Sequence, residues 1–325
     1  MSKIEDTSAW RPGTTQSTLR ARAHLLQRLR RFFAERDVLE VETPLLGRCF
    51  GNDPALEPFT TYFSGAPGRT LYLQSSPEFC MKRLLAAESG PIYQVCKAFR
   101  NGELGQRHNP EFTLLEWYRP GYTLDQLMAE VVALLHCLLE DTTVSVQEYT
   151  YAGLMADRLQ LDIFSADVAA LRACAVAQQV PDAATLPLDK DAWLDLLMSV
   201  CIEPTLEPQQ LSFITAYPAS QAALAELNTH DPRTAARFEL YYQGLELANG
   251  FQELTDAAQQ TERLRQDNQR RLHSGQTVLP LDAAFLAALE HGLPACAGVA
   301  VGLDRVLMGL LGVTTIDQVQ TFAVG

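Results

Sequence analysis

Basic residues are scarce in this 325-residue sequence: 26 lysines and arginines stand against 39 aspartates and glutamates, for a net charge of −13. Nucleic-acid backbones are bound through lysine and arginine, so this balance argues against a protein whose main task is such binding. Long apolar runs are also missing, and residues 131–139 fall far short of the ~20 residues of a membrane span. The first ten residues lack the apolar stretch of a secretory signal, so we expect a cytoplasmic protein.

Paired metal-binding and redox motifs are absent as well. The seven cysteines form no C-x-x-C pair and several lie in apolar runs, which favours buried, reduced thiols. The six histidines show neither H-x-x-x-H nor H-E-x-x-H spacing, so we predict no histidine-based metal site. The sequence also lacks a Walker loop and a Rossmann glycine fingerprint, which excludes two common nucleotide-binding designs.

Strand-like and helical segments alternate along the chain, which is long enough for one large domain or two smaller ones. The stretch 150–235 is rich in alanine and leucine and is predicted to be helical. Strand pairs joined by polar loops, interleaved with helices, predict an α+β fold with an antiparallel or mixed sheet. We predict strands at residues 37–46, 70–76, 92–99 and 111–118, and helices at residues 18–36, 77–88, 124–140 and 257–273.

The segment FRNGELGQRHNPEF, residues 99–112, places charged residues in a loop between two apolar strands. A fixed arginine such as Arg100 suits phosphate binding, because its guanidinium stays charged and can bridge two oxygens. Phe112 offers a ring on which a base can stack. An ordinary charged hairpin tip is the alternative for this segment taken alone.

Three glutamates recur at intervals of seven in RFELYYQGLELANGFQEL, residues 237–254: Glu239, Glu246 and Glu253. Carboxylates that point inward from an apolar strand pair need a cation or a metal as partner. Mg²⁺ typically shares one or two carboxylates with substrate phosphates. A hairpin would have to bend or bulge at Gly244 and Gly250 to bring all three together. A helix would also place them on one face, but the two glycines favour the hairpin.

Two further signals are weaker when taken alone. GVAVGLDRVLMGLLG, residues 298–312, combines small residues that let a ligand approach the backbone with Arg305, which can reach a phosphate. Glu78 lies at a junction between a strand and a helix, where the helix dipole favours an acidic residue whatever its function.

Together, these segments resemble the catalytic core of class II aminoacyl-tRNA synthetases of the lysyl type. The segment that ends at Pro44 resembles motif 1 of that class, residues 99–118 resemble motif 2, and residues 298–305 resemble motif 3. The blocks QSSPEFCMKRL, FITAYP and DPRTAARF are similar to lysyl-enzyme blocks. The resemblance implies one catalytic domain over residues 18–325, with an antiparallel sheet flanked by helices, preceded by an N-terminal arm at residues 1–17.

The sequence differs from the lysyl-type synthetases in three respects. Motif 1 begins almost at the N-terminus, so we expect no anticodon-binding domain, and Ala300 replaces the middle glycine of motif 3. Both features are similar to the short synthetase paralogues that attach (R)-β-lysine to a lysine of translation elongation factor P. That resemblance implies an AMP-forming ligase that uses ATP and Mg²⁺, forms a homodimer and needs no tRNA. Gly102 stands where the family has a glutamate, and Glu103 is next to it. Which carboxylate, if any, recognises adenine therefore stays open.

The resemblance also implies a role for each matching residue. Arg100 and Arg305 would be the catalytic residues, with Arg100 stabilising the charge on the α-phosphate. The Mg²⁺ ligands would be Glu239 and Glu246. The implied ATP-binding set is Arg100, Asn101, Gly102, Glu103, His108, Asn109, Phe112, Glu246, Leu247, Gly302 and Arg305. The implied substrate-binding set is Ser76, Pro77, Glu78, Glu116, Tyr118, Asn249, Glu253 and Ala300.

Two other functions stay open from the sequence. One is a lysyl-type enzyme that aminoacylates tRNA or another amine, and the other is a non-catalytic paralogue with a regulatory role. Loss of motif arginines or metal carboxylates would be typical of the second, whereas both arginines and both carboxylates are present here. We also expect the Ala300 methyl group to shift preference from α-lysine to β-lysine, since it occupies the place of an α-amino group.

Overall fold

The elements of the fold are taken from a computed structural model, which describes residues 10–324. The strands are β1 (Leu39–Glu40), β2 (Leu46–Gly47), β3 (Thr60–Phe63), β4 (Arg69–Leu73), β5 (Ile92–Phe99), β6 (Glu111–Pro120), β7 (Ser145–Thr150), β8 (Gln210–Pro218), β9 (Thr234–Tyr242), β10 (Leu245–Gln252) and β11 (Cys296–Gly302). The helices are α1 (Gln16–Ala34), α2 (Glu78–Ala86), α3 (Leu124–Leu139), α4 (Tyr151–Leu159), α5 (Val168–Ala177), α6 (Lys190–Leu197), α7 (Ala257–His273), α8 (Ala283–Gly292) and α9 (Leu303–Leu311).

One eight-stranded sheet runs through the molecule in the order β1-β5-β6-β11-β10-β9-β8-β7. Its inner pairs are antiparallel, and the two edge pairs, β1 with β5 and β7 with β8, are parallel. A smaller antiparallel sheet has the order β2-β4-β3. The predicted α+β class, with helices flanking a largely antiparallel sheet, is confirmed.

Neighbouring side chains of the central strands point to opposite faces of this sheet, as the pleat requires. Leu115 and Trp117 of β6 and Val299 of β11 belong to the main apolar core, which α1, α3 and α9 cover. Glu116 and Tyr118 alternate with those residues and therefore point to the opposite face. That second face carries the polar residues of the candidate site.

The strand register places four of the predicted site residues in one row across the sheet. The Cα of Glu116 pairs with that of Ala300, Ala300 with Asn249, and Asn249 with Glu239. Adjacent strands lie roughly 4.8 Å apart, so the row brings residues from four distant parts of the sequence side by side.

The hairpin of β9 and β10 forms as predicted, but its irregularities lie elsewhere. Gln243 and Gly244 both have positive φ, +52° and +69°, and form the tight turn. The register shift falls at Leu247, between the paired positions 246 and 248, and not at Gly250. Gly250 is needed for another reason: a Cβ there would collide with the ring of Phe238 on the neighbouring strand.

The prediction of helix throughout residues 150–235 is wrong for β8, a central strand of this stretch. Leu211 and Phe213 of β8 pack in the main core, whereas Ile214 and Tyr217 pack in a second core formed with α4, α5 and α6. A strand covered by apolar residues on both faces loses the alternation that identifies a strand in sequence. The helical insertion is therefore confined to residues 151–205.

The four predicted helices are confirmed within two residues at each end, as α1, α2, α3 and α7. Helix α1 begins inside the predicted N-terminal arm, where Thr15 caps it, and residues 1–9 of that arm lie outside the described residues. The strand predicted at residues 37–46 is wrong: β1 and β2 belong to different sheets. Between residues 10 and 324, every helix is too short or too polar to cross a membrane.

Candidate active site

A cavity of about 1560 Å³ lies on the polar face of the large sheet. Strands β6, β9, β10 and β11 contribute its floor, while the junction of β4 and α2 and the helix α6 contribute walls. Pockets for one small ligand usually measure ~300–1,000 Å³, so this cavity has room for more than one substrate.

One end of the cavity is the carboxylate pocket, which consists of Glu78, Lys82, Glu116, Tyr118 and Glu253. The Lys82 ammonium lies 2.7 Å from a Glu78 oxygen and 2.5 Å from a Glu253 oxygen. The Tyr118 hydroxyl donates a hydrogen bond of 2.5 Å to Glu116. Lys82 and Glu253 are each only 1% exposed, so their charges interact with little screening by water.

The carboxylate pocket holds three carboxyl groups against one internal ammonium. Burial, and after it the neighbouring Glu78, raise the pKa of Glu116 to about 8. Burial also raises the pKa of Glu253 to about 8, although Lys82 opposes that rise. Burial alone would lower the pKa of Lys82, but the two glutamates beside it raise that pKa above its ordinary value. The pocket is therefore short of positive charge.

The local sequence explains how this pocket is assembled. Pro77 precedes the first residue of α2, and Ser76 before it accepts a hydrogen bond of 3.0 Å from the Glu78 backbone N–H. The Ser76 hydroxyl in turn donates to Glu116 at 2.7 Å. Gly298 of β11 lies against Tyr118 and the Glu253 carboxylate, which together leave no space for a Cβ. A side chain at position 298 would therefore fill the pocket.

The other end adjoins the arginine region, which consists of Arg100, Arg237, Glu239 and Glu246 at the cavity wall and of Arg305, which contacts Glu246. Arg305 donates to the Glu246 carbonyl at 2.7 Å and lies 3.3 Å from its carboxylate. Arg237 forms an ion pair with Glu239 and donates to Asn249 at 3.1 Å. Both carboxylates of this region are thus held by arginines.

Arg100 differs from the other arginines of this region in that its ion pair, with Glu103, is longer than theirs. Its guanidinium lies 5.1 Å from the centre of the Phe112 ring and 3.6 Å from Glu103. Its Nε is buried without a hydrogen-bond partner in the described part of the chain. An unsatisfied donor on a permanent cation is suited to an incoming phosphate oxygen.

His108 supports the second arginine of the region. Its Nε2 accepts a hydrogen bond of 2.8 Å from Arg305, which assigns the proton of the neutral ring to Nδ1. Burial, and after it the charge of Arg305, lower the pKa of His108 below its ordinary value. The ring therefore stays neutral and can hold the arginine by accepting its N–H.

The two predicted Mg²⁺ ligands fit a metal that is shared with substrate phosphates. Burial, and after it the charge of Glu239, raise the pKa of Glu246, so the two carboxylates repel each other. Burial and both of these carboxylates also raise the pKa of Glu203, to about 7. Within residues 10–324, no group of three or more His, Cys, Asp or Glu side chains is arranged to hold a metal unaided. Phosphate oxygens would have to complete the shell.

The structure brings all of the predicted substrate and metal residues to the cavity wall, but of the predicted ATP-binding set only Arg100 and Glu246. Leu247 is instead buried in the main core, and Asn109 bonds the Glu111 carbonyl and the Val324 N–H, so its amide fixes the C-terminal segment. Those at the wall are Ser76, Pro77, Glu78, Arg100, Glu116, Tyr118, Glu239, Glu246, Asn249, Glu253 and Ala300. Those away from the wall are Asn101, Gly102, Glu103, His108, Asn109, Phe112, Leu247, Gly302 and Arg305.

Three residues of the site escaped the sequence analysis. Lys82 could have been found four residues after Glu78, where a helix places both on one side. Arg237 and Tyr241 flank Glu239 at intervals of two in β9, so all three share one face of the strand. The Tyr241 hydroxyl donates to Glu239 at 2.6 Å.

Comparison with known proteins adds to this geometry. The profile of the family described as tRNA synthetases class II (D, K and N) matches residues 7–324. Similar relatives include proteins named elongation factor P–(R)-β-lysine ligase, each aligned over 99% of this chain and 99% of its own length. They come from Edwardsiella ictaluri (46% identical), Pectobacterium carotovorum (45%) and Yersinia pestis (46%).

Proposed function

The chain belongs to the class II tRNA synthetases of the D, K and N type, and we propose that it is an ATP-dependent ligase that joins (R)-β-lysine to a lysine side chain of translation elongation factor P. The observation that carries this proposal is the carboxylate pocket. Its three carboxyl groups face one internal ammonium, which leaves a deficit of two positive charges when all are ionised. A lysine isomer supplies two ammonium groups, and the names of the relatives favour the β isomer.

In the first step, the substrate carboxylate attacks the α-phosphorus of ATP. The bond from that phosphorus to the bridging oxygen breaks, and pyrophosphate leaves with the bonding electrons. Arg100 would stabilise the charge on the α-phosphate, because its free Nε and permanent charge suit a developing oxyanion. The carboxylate pocket would hold the substrate's ammonium groups and so orient its carboxylate for attack.

In the second step, the acceptor lysine gives one proton from its ammonium to solvent and its amine attacks the acyl carbon. The bond from that carbon to the phosphate oxygen breaks, AMP leaves with the bonding electrons, and the nitrogen loses a second proton to solvent. The reaction needs no side-chain nucleophile. Positioning and electrostatic stabilisation by this chain would supply the catalysis.

Glu239 and Glu246 would hold Mg²⁺ together with the phosphates. When bound, the ion would neutralise phosphate charge and assist departure of pyrophosphate. Arg237 and Tyr241 hold Glu239, and Arg305 holds Glu246, so both ligands are positioned by neighbours that can yield to a cation.

We also propose that residues 18–325 form one catalytic domain and that the protein is a homodimer. We propose further that it is located in the cytoplasm and does not use tRNA. The net charge of −13 supports the last point, because tRNA binding relies on basic residues. Exposed apolar side chains lie in the motif 1 segment, at Leu39, and directly after it, at Leu45 and Leu46, and these support an interface between two copies.

The proposal is tested by incubating the protein with ATP, elongation factor P and either (R)-β-lysine or α-lysine, followed by intact-mass spectrometry. We expect the factor to gain one lysyl group with the β isomer and to stay unmodified without ATP. Parallel reactions replace the factor with tRNA. Charging of tRNA in place of modification of the factor would establish the aminoacylating alternative.

A further inference from the structure

A third part of the cavity belongs neither to the carboxylate pocket nor to the arginine region. The helical insertion and the short helical turn Ala219–Gln221 form it, and we name it the acidic arm: Tyr151, Asp191, Asp195 and Ser220, all at the wall of the same cavity. Asp191 and Asp195 lie one turn apart on α6, so both carboxylates are on the same side of that helix.

A buried hydroxyl group points to a ligand in the acidic arm. Tyr151 is 1% exposed, and its Oη has no hydrogen-bond partner between residues 10 and 324. The Tyr151 ring packs against that of Tyr217, with 4.9 Å between their centres, and both side chains line the cavity together with Asp195. A buried hydroxyl left unpaired costs free energy, so a polar ligand that reached it would be favoured.

Hydrogen bonds connect the arm to the place where the acyl group would lie. The Gln221 amide donates to Asp195 at 2.7 Å, and the Gln221 carbonyl accepts from Arg237 at 2.7 Å. Arg237 donates at 3.1 Å to Asn249, whose Cα pairs with that of Ala300. The arm is therefore linked through Gln221 and Arg237 to the row of proposed substrate residues, and both line the same cavity.

The charge of the arm selects among the species that could occupy it. Two carboxylates repel ATP, pyrophosphate and AMP, so the arm does not suit a phosphate. They attract an ammonium group, and Ser220 donates to Asp191 at 2.6 Å, which orients that carboxylate. The β-lysine ammonium groups are already accounted for by the carboxylate pocket.

We propose that the acidic arm binds the ε-ammonium of the acceptor lysine and directs it toward the acyl group beside Ala300. This inference rests on the proposed function, because only a reaction with a protein lysine as second substrate brings another ammonium to the cavity. Asp191 and Asp195 are binding residues of the transfer step and take no part in forming the adenylate.

The test separates the two half-reactions in the Asp191→Asn/Asp195→Asn double variant. ATP–pyrophosphate exchange with (R)-β-lysine reports adenylate formation, and steady-state transfer reports the KM for elongation factor P. We expect exchange within about twofold of wild type and a KM for the factor that rises about tenfold, as on loss of a charge pair at an interface. The single variant Asp195→Glu keeps the negative charge at position 195. Its KM for elongation factor P should therefore rise less than that of the double variant.

The matched control is Asp157→Asn, an exposed carboxylate of the same insertion that lies away from the cavity wall. It should leave both half-reactions unchanged. An unaltered KM for the factor in the double variant would overturn the inference. Parallel loss of exchange would also overturn it, because Asp195 would then act through Gln221 on Arg237. Absence of exchange in the wild-type protein would instead refute the proposed function, and the inference with it.

Discussion

The carboxylate pocket and the arginine region both concentrate charge on one face of a sheet, but they balance it differently. In the pocket, Lys82 and Glu253 are 1% exposed and form an ion pair with each other. In the arginine region, the Arg305 and Glu246 side chains are 20% and 40% exposed, so solvent reaches their ion pair. The Arg237–Glu239 pair, 15% and 14% exposed, is intermediate, so within the arginine region it is the Arg305–Glu246 pair that is most open to exchange.

This difference matches what each end has to bind. A buried site built for ammonium groups rejects uncharged analogues strongly, because its carboxylates would be left unpaired. A half-open region can exchange arginine partners for phosphates and a metal without burying an uncompensated charge. We therefore propose that the fixed carboxylate pocket provides selectivity and that the open arginine region provides the site of reaction.

The largest expected effect comes from breaking the arginine region alone. Arg100→Ala removes a cation whose Nε has no hydrogen-bond partner in the described residues, so we expect pyrophosphate exchange to fall about 10²–10³-fold. The carboxylate pocket should be untouched, so we expect (R)-β-lysine alone to raise the melting temperature of the variant and of wild type by the same amount. Arg233→Ala is the control, since Arg233 is an exposed arginine paired with Asp231. Loss of the β-lysine response in Arg100→Ala would show that the two ends are not separable.

A smaller effect is expected between the two ends, at Ala300. Its Cα pairs with Glu116 on one side and Asn249 on the other, so its methyl group lies where substrate carbons pass. Ala300→Gly should shift the ratio of adenylation rates for β-lysine and α-lysine toward α-lysine by roughly 10- to 200-fold, or about 1–3 kcal/mol. Both isomers are compared by pyrophosphate exchange in the same preparation. An unchanged ratio would remove Ala300 from the explanation of isomer preference.

The two ends also differ in how far the sequence could predict them. Arg100 and Arg305 were identifiable because arginines in a polar loop and after a glycine-rich strand indicate phosphate binding. The seven-residue spacing predicts that Glu239, Glu246 and Glu253 converge on one site. In the structure, Glu253 forms an ion pair with Lys82, whereas Glu239 and Glu246 form ion pairs with arginines. Sequence spacing gives the sheet face of a residue and cannot give its ionic partner, which comes from another element.

The missed strand β8 and the missed Lys82 have a common physical cause. Residues 211–217 pack on both faces, so tertiary burial removes their period of two. Lys82 is fully buried in a helix whose charged residues are typical of an exposed surface, and its burial depends on Glu253, which follows distant β10, as well as on Glu78 of its own helix. Sequence periodicity detects a helix or strand that is packed on one side. The strand β8 and the burial of Lys82 are each determined by contacts with several other elements, so periodicity does not detect them.

The smallest expected effect concerns the stability of the carboxylate pocket. The Glu116 pKa is raised from 4.5 to about 8, so between those pH values the unfolded chain releases a proton that the folded chain keeps. The free energy of unfolding therefore falls as pH rises through that window. Glu116→Gln removes this dependence, since glutamine resembles the protonated acid. We expect the variant to match wild type at pH 4 and to be about 1–2 kcal/mol more stable at pH 8.5.

The measurement is urea denaturation at both pH values, combined with the KM for (R)-β-lysine from pyrophosphate exchange. The same substitution should weaken β-lysine binding, because an ionised Glu116 contributes part of the negative charge that the ammonium groups of the substrate neutralise. Greater stability with poorer binding is the mark of a pocket strained by its own carboxylates. A variant less stable than wild type at pH 8.5 would mean that Lys82 already compensates Glu116, and the pocket would then resemble the arginine region in being balanced before substrate arrives.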